Sequence, residues 1–238
     1  MSNRAVILAG GRGTRLRPYT VVLPKPLMPI GEYPILEVLV RQLVSSGFSR
    51  ITMAVNHQAE IIRAFFGDGK KWGAEIDYSL EDQPLSTMGP LRLIDDLPED
   101  FLITNGDVLT DLDFKSFFEY HKRRKSLFTI SSHDRTHVND YGVIDVGEEG
   151  MVIRFREKPK TTFTVSMGVY AANRKILDFI PPNKPFGFDD LMYDLMRRGT
   201  LAIAKPHQGL WLDIGRADDY HSAIETFETN KNLFLRRV

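Results

Sequence analysis

The chain has 238 residues, 42% hydrophobic and 26% charged, enough to bury one substantial core. Lys plus Arg and Asp plus Glu both number 31, so the net charge is zero, which argues against a protein that coats nucleic acid or an anionic membrane. Cysteine is absent, which excludes disulfides, thiolate nucleophiles and Cys-ligated metals and suits a reducing cytoplasm.

The first apolar run, Ala5–Leu8, is too short for a signal peptide, and no stretch approaches the roughly 20 apolar residues of a membrane span. The run reads instead as a buried strand. Pro34–Ser46 reads as a helix with a proline in its first turn, a wide apolar face and Gly47 as its stop. Ile51–Val55 is a strand and Ala59–Phe66 a helix. Ile76–Ser79 and Phe101–Thr104 are strands, with a short helix at Pro90–Ile94 between them. Asp113 caps a helix that reaches about Arg124. Strand-like pieces follow at Leu127–Ser132, Gly142–Val146, Val152–Glu157 and Val165–Ala171. Asp189–Met196 and Ala217–Phe227 read as helices, with a strand at Trp211–Ile214 between them. Strands alternating with helices predict an α/β fold with a mostly parallel sheet, and ligands in such sheets bind beyond the carboxyl ends of the strands. No internal repeat or linker interrupts the chain, so one domain over 1–238 is expected.

The loop after the first strand holds Gly10, Gly11 and Gly13 with Arg12, Arg15, Arg17 and Lys25. Glycines let backbone N–H groups approach a phosphate closely, and the cations supply charge-assisted hydrogen bonds. Two phosphate-binding patterns fail here. A Walker A loop needs Gly-Lys-Ser/Thr, and Gly13 precedes Thr14-Arg15. A dinucleotide fingerprint needs a third glycine where Leu16 stands, and a helix that Pro18, Pro24, Pro26 and Pro29 forbid. The loop is therefore long, shaped by proline and open to a large anion.

Gly10-Gly11-x-Gly13-Thr14-Arg15-Leu16-x-Pro18-x-Thr20, followed by Pro24-Lys25-Pro26-Leu27, resembles the sugar-1-phosphate nucleotidyltransferase family. The resemblance continues through Gly106-Asp107, Glu157-Lys158-Pro159 and Trp211-Leu212-Asp213-Ile214-Gly215. It implies a Rossmann-like three-layer α/β/α sandwich with a mixed sheet. Residues 1–112 would serve mainly the nucleotide and 113–238 mainly the sugar. It also implies a reaction joining a nucleoside triphosphate to a sugar 1-phosphate, with pyrophosphate released. Relatives often carry a C-terminal β-helix; no hexapeptide repeat follows the last helix, so none is expected here.

The resemblance assigns roles. Arg15 would brace the triphosphate, and Lys25 would serve the α-phosphate or the attacking phosphate. Asp107 and Asp213 would bind Mg2+ as the cofactor. Leu8, Ala9, Gly10, Gly11, Gly13, Thr14 and Gly106 would surround the nucleotide. Gly142, Glu157 and Lys158 would hold the sugar phosphate. Glu81, Pro84 and Thr87 fall in the base-reading loop. Thymidylyl members usually carry glutamine at the place of Glu81. A carboxylate accepts only, which suits the two adjacent donors of guanine, so GTP is favoured and UTP comes next. A non-catalytic nucleotide-sugar sensor is the competing class. Neither a nucleic acid nor a membrane is expected as a partner, and the resemblance leaves homo-oligomerisation open. The six histidines form no metal-ligand spacing, and Lys122–Lys125 reads as a solvated helix end.

Overall fold

A computed structural model describes residues 3–11, 13–56, 58–214 and 217–235, and the backbone alone of Asp213, Ala217 and Asp218. Strand β1 (Arg4–Leu8) carries Ala5 and Ile7 into one cluster and Val6 into another, all fully buried. A strand covered on both faces needs apolar residues at successive positions, and this explains the unbroken run. After the glycine-rich loop come the small pair β2 (Pro29–Ile30) and β3 (Tyr33–Pro34), then α1 (Ile35–Ser45), β4 (Arg50–Val55), α2 (Ala59–Phe66) and β5 (Glu75–Leu80). Next are β6 (Asp100–Asn105), β7 (Val108–Thr110), α3 (Phe114–Arg124), β8 (Phe128–Val138), β9 (Val143–Val146), β10 (Val152–Arg156) and β11 (Lys160–Asn173). The chain continues through α4 (Phe188–Arg197), β12 (Ile203–Pro206), β13 (Trp211–Asp213), α5 (Ala217–Thr229) and α6 (Lys231–Phe234).

Seven strands form one sheet in the order β12-β8-β11-β6-β1-β4-β5. Only β11 runs against its neighbours; the other pairings in the sheet are parallel. Helices α1, α2 and α3 bury Leu39, Ile62, Phe66 and Phe117 against one face. Helix α4 and the segment Arg174–Phe179 bury Leu191, Leu195 and Ile176 against the other. This is the expected three-layer α/β/α sandwich. A third cluster packs α5 and α6 through Phe227 and Phe234 onto Ile35 and Val38 of α1. The parallel central strands all end on one edge, and the glycine-rich loop leaves β1 there.

Local signals account for the helix ends. Gly47, at φ 88°, follows α1. Asp113 caps α3 by accepting from the Ser116 N–H at 2.9 Å. Pro34 lies one step outside its expected place, as the extended N-cap of α1 rather than in its first turn. Strands β8 and β11 run well past their expected bounds, paired from Lys160↔Val138 inward. Strands β7 and β12 were not expected. Two other two-stranded pieces stand apart from the main sheet: β9 with β10, and β7 with β13.

Candidate active site

The loop after β1 folds back on itself. Gly13 adopts φ 59°, and a Cβ there would meet Thr20 Cγ2 at 2.9 Å and Lys25 Cβ at 3.1 Å. The Thr20 hydroxyl donates to the Gly13 carbonyl at 2.7 Å, which fastens the fold-back. In place of a helix, the prolines leave three short 3-10 turns at Thr14–Leu16, Tyr19–Val21 and Lys25–Leu27. The last of these returns Lys25 to the start of the loop.

The result is a cavity of about 470 Å³ at the carboxyl end of β1. Leu8, Ala9, Gly10, Gly11 and Gly13 line it, with Thr14, Arg15 and Lys25. Glu81, Pro84 and Thr87 form another part of the lining, and Asp107 closes it. Gly106 stands behind this wall: its N–H donates to the Leu8 carbonyl at 2.9 Å, and a Cβ would press on Leu8 O and Pro26 at 3.3 Å. Arg12 lies outside the described residues.

Glu81 is buried, with a relative exposure of 9%. Its Oε2 accepts from the Leu85 N–H at 3.0 Å. Its Oε1 faces Gly10, where an added Cβ would come within 2.6 Å. Glycine at position 10 is thus what admits the carboxylate into the cavity wall. Burial pushes the Glu81 carboxyl above its ordinary pKa, and the Leu85 N–H offsets part of that rise.

Lys25 Nζ pairs with Asp107 Oδ2, and both side chains are mostly buried. Strand β13 pairs antiparallel with β7 in the register Asp213↔Val108, so the backbone of Asp213 lies across from the residue after Asp107. The side chain of Asp213 and residue Gly215 lie outside the described residues. Among the described residues, no group of three or more His, Asp or Glu forms a self-sufficient metal cage. The Asp107 carboxylate in the cavity lining suits a hard divalent cation such as Mg2+, which binds through one or two carboxylates and completes its shell with substrate phosphates and water.

Gly142, Glu157 and Lys158 are not in the cavity lining. They flank the ribbon of β9 and β10, where Gly142 and Glu157 lie close together. A Cβ on Gly142 would lie 2.7 Å from the Phe155 ring and 3.2 Å from Glu157 Oε2. Glu157 and Lys158 are exposed, and Lys158 holds a left-handed backbone at φ 41°.

Sequence reasoning passed over Asn56, which lines the cavity and donates through Nδ2 to the Gly10 carbonyl. It sits just past β4, and the rule that ligands bind beyond the carboxyl ends of strands points there. Asn105, the last residue of β6, and Ser86 also line the cavity, and the sequence reading assigns neither a role.

Residues 4–230 match the Nucleotidyl transferase family model, so the chain belongs to that family. It is 32% identical over 241 residues to a UTP--glucose-1-phosphate uridylyltransferase of Synechocystis sp., covering 93% of this chain and 62% of the relative. It is 32% identical over 228 residues to a mannose-1-phosphate guanyltransferase of Saccharomyces cerevisiae, covering 92% of this chain and 63% of that protein. The chain thus spans under two thirds of the length of these curated relatives. Among solved structures it resembles HddC from Yersinia pseudotuberculosis, with TM-score 0.73, 30% identity, and coverage of 95% of this chain and 100% of that one. A structure of HddC complexed with GMP-PN aligns with TM-score 0.71 and 28% identity, again covering 95% of this chain and 100% of that one.

Proposed function

We propose that this chain transfers a nucleotidyl group from a nucleoside triphosphate to a sugar 1-phosphate, giving a nucleotide sugar and pyrophosphate. The observation that carries this reading is the convergence of the glycine-rich loop, Lys25, Glu81 and Asp107 on one cavity. An oxygen of the sugar phosphate attacks the α-phosphorus in line. The bond from that phosphorus to the oxygen bridging to the β-phosphate breaks, and pyrophosphate leaves. The nucleophile is already an anion, so no proton must be removed and no Ser, Cys or His nucleophile is needed. The main barrier is repulsion between two anions, so catalysis is positioning and charge compensation.

The roles proposed here are those that the family resemblance implies. Backbone N–H groups at Gly10, Gly11 and Gly13 hold the triphosphate, and Arg15 compensates the leaving pyrophosphate. Lys25 serves the α-phosphate once substrate draws it from Asp107. Lys158 neutralises the sugar phosphate and Glu157 accepts from sugar hydroxyls. Asp107 and Asp213 would hold Mg2+, which when bound offsets charge on the reacting phosphates. Residues 1–112 serve mainly the nucleotide and 113–238 mainly the sugar, within one catalytic unit.

GTP is the favoured nucleotide. Glu81 presents an acceptor to the cavity, matching the paired N–H donors of guanine. The yeast guanyltransferase and the HddC complex with GMP-PN support the same base. UTP is the second reading, on the strength of the Synechocystis uridylyltransferase. Pyrophosphate release with Mg2+ is to be measured for GTP, UTP, dTTP, CTP and ATP against mannose, glucose, heptose and N-acetylmuramic acid 1-phosphates. A guanine row with one or more active sugars is expected. Nucleotide binding without release anywhere in the grid would replace the transferase with the sensor.

A further inference from the structure

Strands β7 and β13 have three residues each and form a sheet of their own. A two-stranded ladder this short is marginal by itself. A slip of one residue would turn every side chain to the opposite face. Yet the register Asp213↔Val108 is what sets Asp213 beside Asp107. The ladder needs an outside constraint, and the segment just before β13 supplies one.

Asp111, which follows β7, accepts through Oδ1 from the Leu210 N–H and from His207 Nε2, both at 2.8 Å. The Thr110 hydroxyl donates to the Leu210 carbonyl at 2.7 Å, and the Asp111 N–H reaches the same carbonyl at 3.2 Å. Any Cβ on Gly209 would collide with the Asp111 carboxylate and with the His207 ring, so the segment closes on Asp111 only because residue 209 is glycine. The other side of the segment is fastened to β8. The His207 N–H donates to Ser132 O at 2.8 Å, and His133 Nδ1 donates to His207 O at 2.9 Å. Trp211 Nε1 donates to Met167 O at 3.0 Å in the next strand, β11.

We propose that Asp111 is a positioning residue: its clasp on His207 and Leu210 locks the register of β13 against β7 and so sets Asp213 opposite the Asp107 end of the cavity. The inference rests on the transferase reading for its consequence, and on the hydrogen-bond geometry for the clasp. Asp111 touches neither nucleotide nor sugar phosphate in this scheme. It acts through the strand that carries Asp213.

The test uses the full chain with Asp111→Ala, Asp111→Asn and, as a second route that leaves the ladder residues intact, His207→Leu. In Asp111→Ala, amide hydrogen exchange across 209–213 should speed up on the order of tenfold, with helices α1 and α3 unchanged. Mn2+ affinity, titrated with a non-hydrolysable GTP analogue, should weaken on the order of tenfold. The kcat should fall about 10²-fold, the cost of misplacement by about 1 Å, with the KM for nucleotide held. Asp111→Asn keeps an acceptor for Leu210 and should recover most of the loss. His207→Leu should move exchange and kcat in the same direction by less. Unchanged exchange at 209–213 in Asp111→Ala, or faster exchange with undiminished Mn2+ affinity, overturns the proposal. A wild-type protein that releases no pyrophosphate would refute the transferase reading alone, and the exchange and Mn2+ measurements would still decide the clasp.

Discussion

The cavity at the end of β1 and the ribbon of β9 and β10 are built differently. The cavity is walled by the loop after β1, by Glu81 and by Asp107, and its floor is the buried end of a parallel sheet. The ribbon pairs only within itself, and Ile144, Val146, Ile153 and Phe155 are each more than half exposed. Glycine is used differently in each. Gly10 and Gly13 let buried groups close on one another, whereas Gly142 seats an exposed ring. A triphosphate carries several charges that need many fixed donors, which only a rigid, desolvated wall can pre-organise. On this reading the sugar phosphate is held by two exposed side chains at one end of a thin ribbon, and the chemistry is concentrated in the nucleotide end.

The largest expected effect lies on the cavity side. Asp107→Asn and Arg15→Ala should each lower kcat by about 10²–10³, the usual cost of one positioned charge, while nucleotide still stabilises the protein in a thermal shift. Near-normal turnover in both would remove the cavity from the chemistry. On the ribbon side, Lys158→Ala should raise the KM for sugar 1-phosphate about tenfold, for a lost charge-assisted hydrogen bond, and leave the KM for nucleotide in place. An equal rise in both constants would erase the division between the two regions.

Smaller effects sharpen the picture of the wall. Glu81→Gln should shift preference from GTP toward UTP or dTTP in competition assays. It should also flatten part of the pH dependence of stability. Burial raises the Glu81 pKa in the folded state, so the fold binds more protons there than the unfolded chain does. That contribution is present below the ordinary value of 4.5 and is lost as pH rises through the folded value. Thermal melts from pH 4 to 8 on both proteins would show it. The smallest effect is far from the site. His121 is buried against Thr129, and desolvation lowers its pKa below the ordinary 6.5, with Asp100 opposing. The fold therefore loses stability as pH falls below that ordinary value. His121→Phe should lose less between pH 7 and 5, and equal losses would assign the acid sensitivity to other groups.

The central strands and all the longer helices were legible because their periodicity is simple: buried on both faces for β1 and β4, one apolar face for α1 and α3. The outer halves of β8 and β11 were not. Thr161, Thr162, Thr164 and His137 pair with strands, not with a core, and polar residues there give no burial signal. Strand β12 carries Lys205 and ends on Pro206 at the sheet edge, where proline is tolerated and little is buried. Strand β7 is too short to show a period. In the cavity, the glycines and cations are legible by type and spacing, and Glu81 only through the family resemblance of its loop. Asn56 did not, because its part is one side-chain hydrogen bond to the Gly10 carbonyl, a contact 46 residues away in sequence.

Direct transfer with no enzyme-bound intermediate predicts one displacement at the α-phosphorus. For the nucleotide and sugar that react fastest, the stereochemical course is to be followed with a chiral α-thio analogue of the triphosphate. Inversion is expected, with no pyrophosphate released from nucleotide alone. Retention, or a burst of pyrophosphate without sugar 1-phosphate, would mean a covalent nucleotidyl-enzyme and would contradict it.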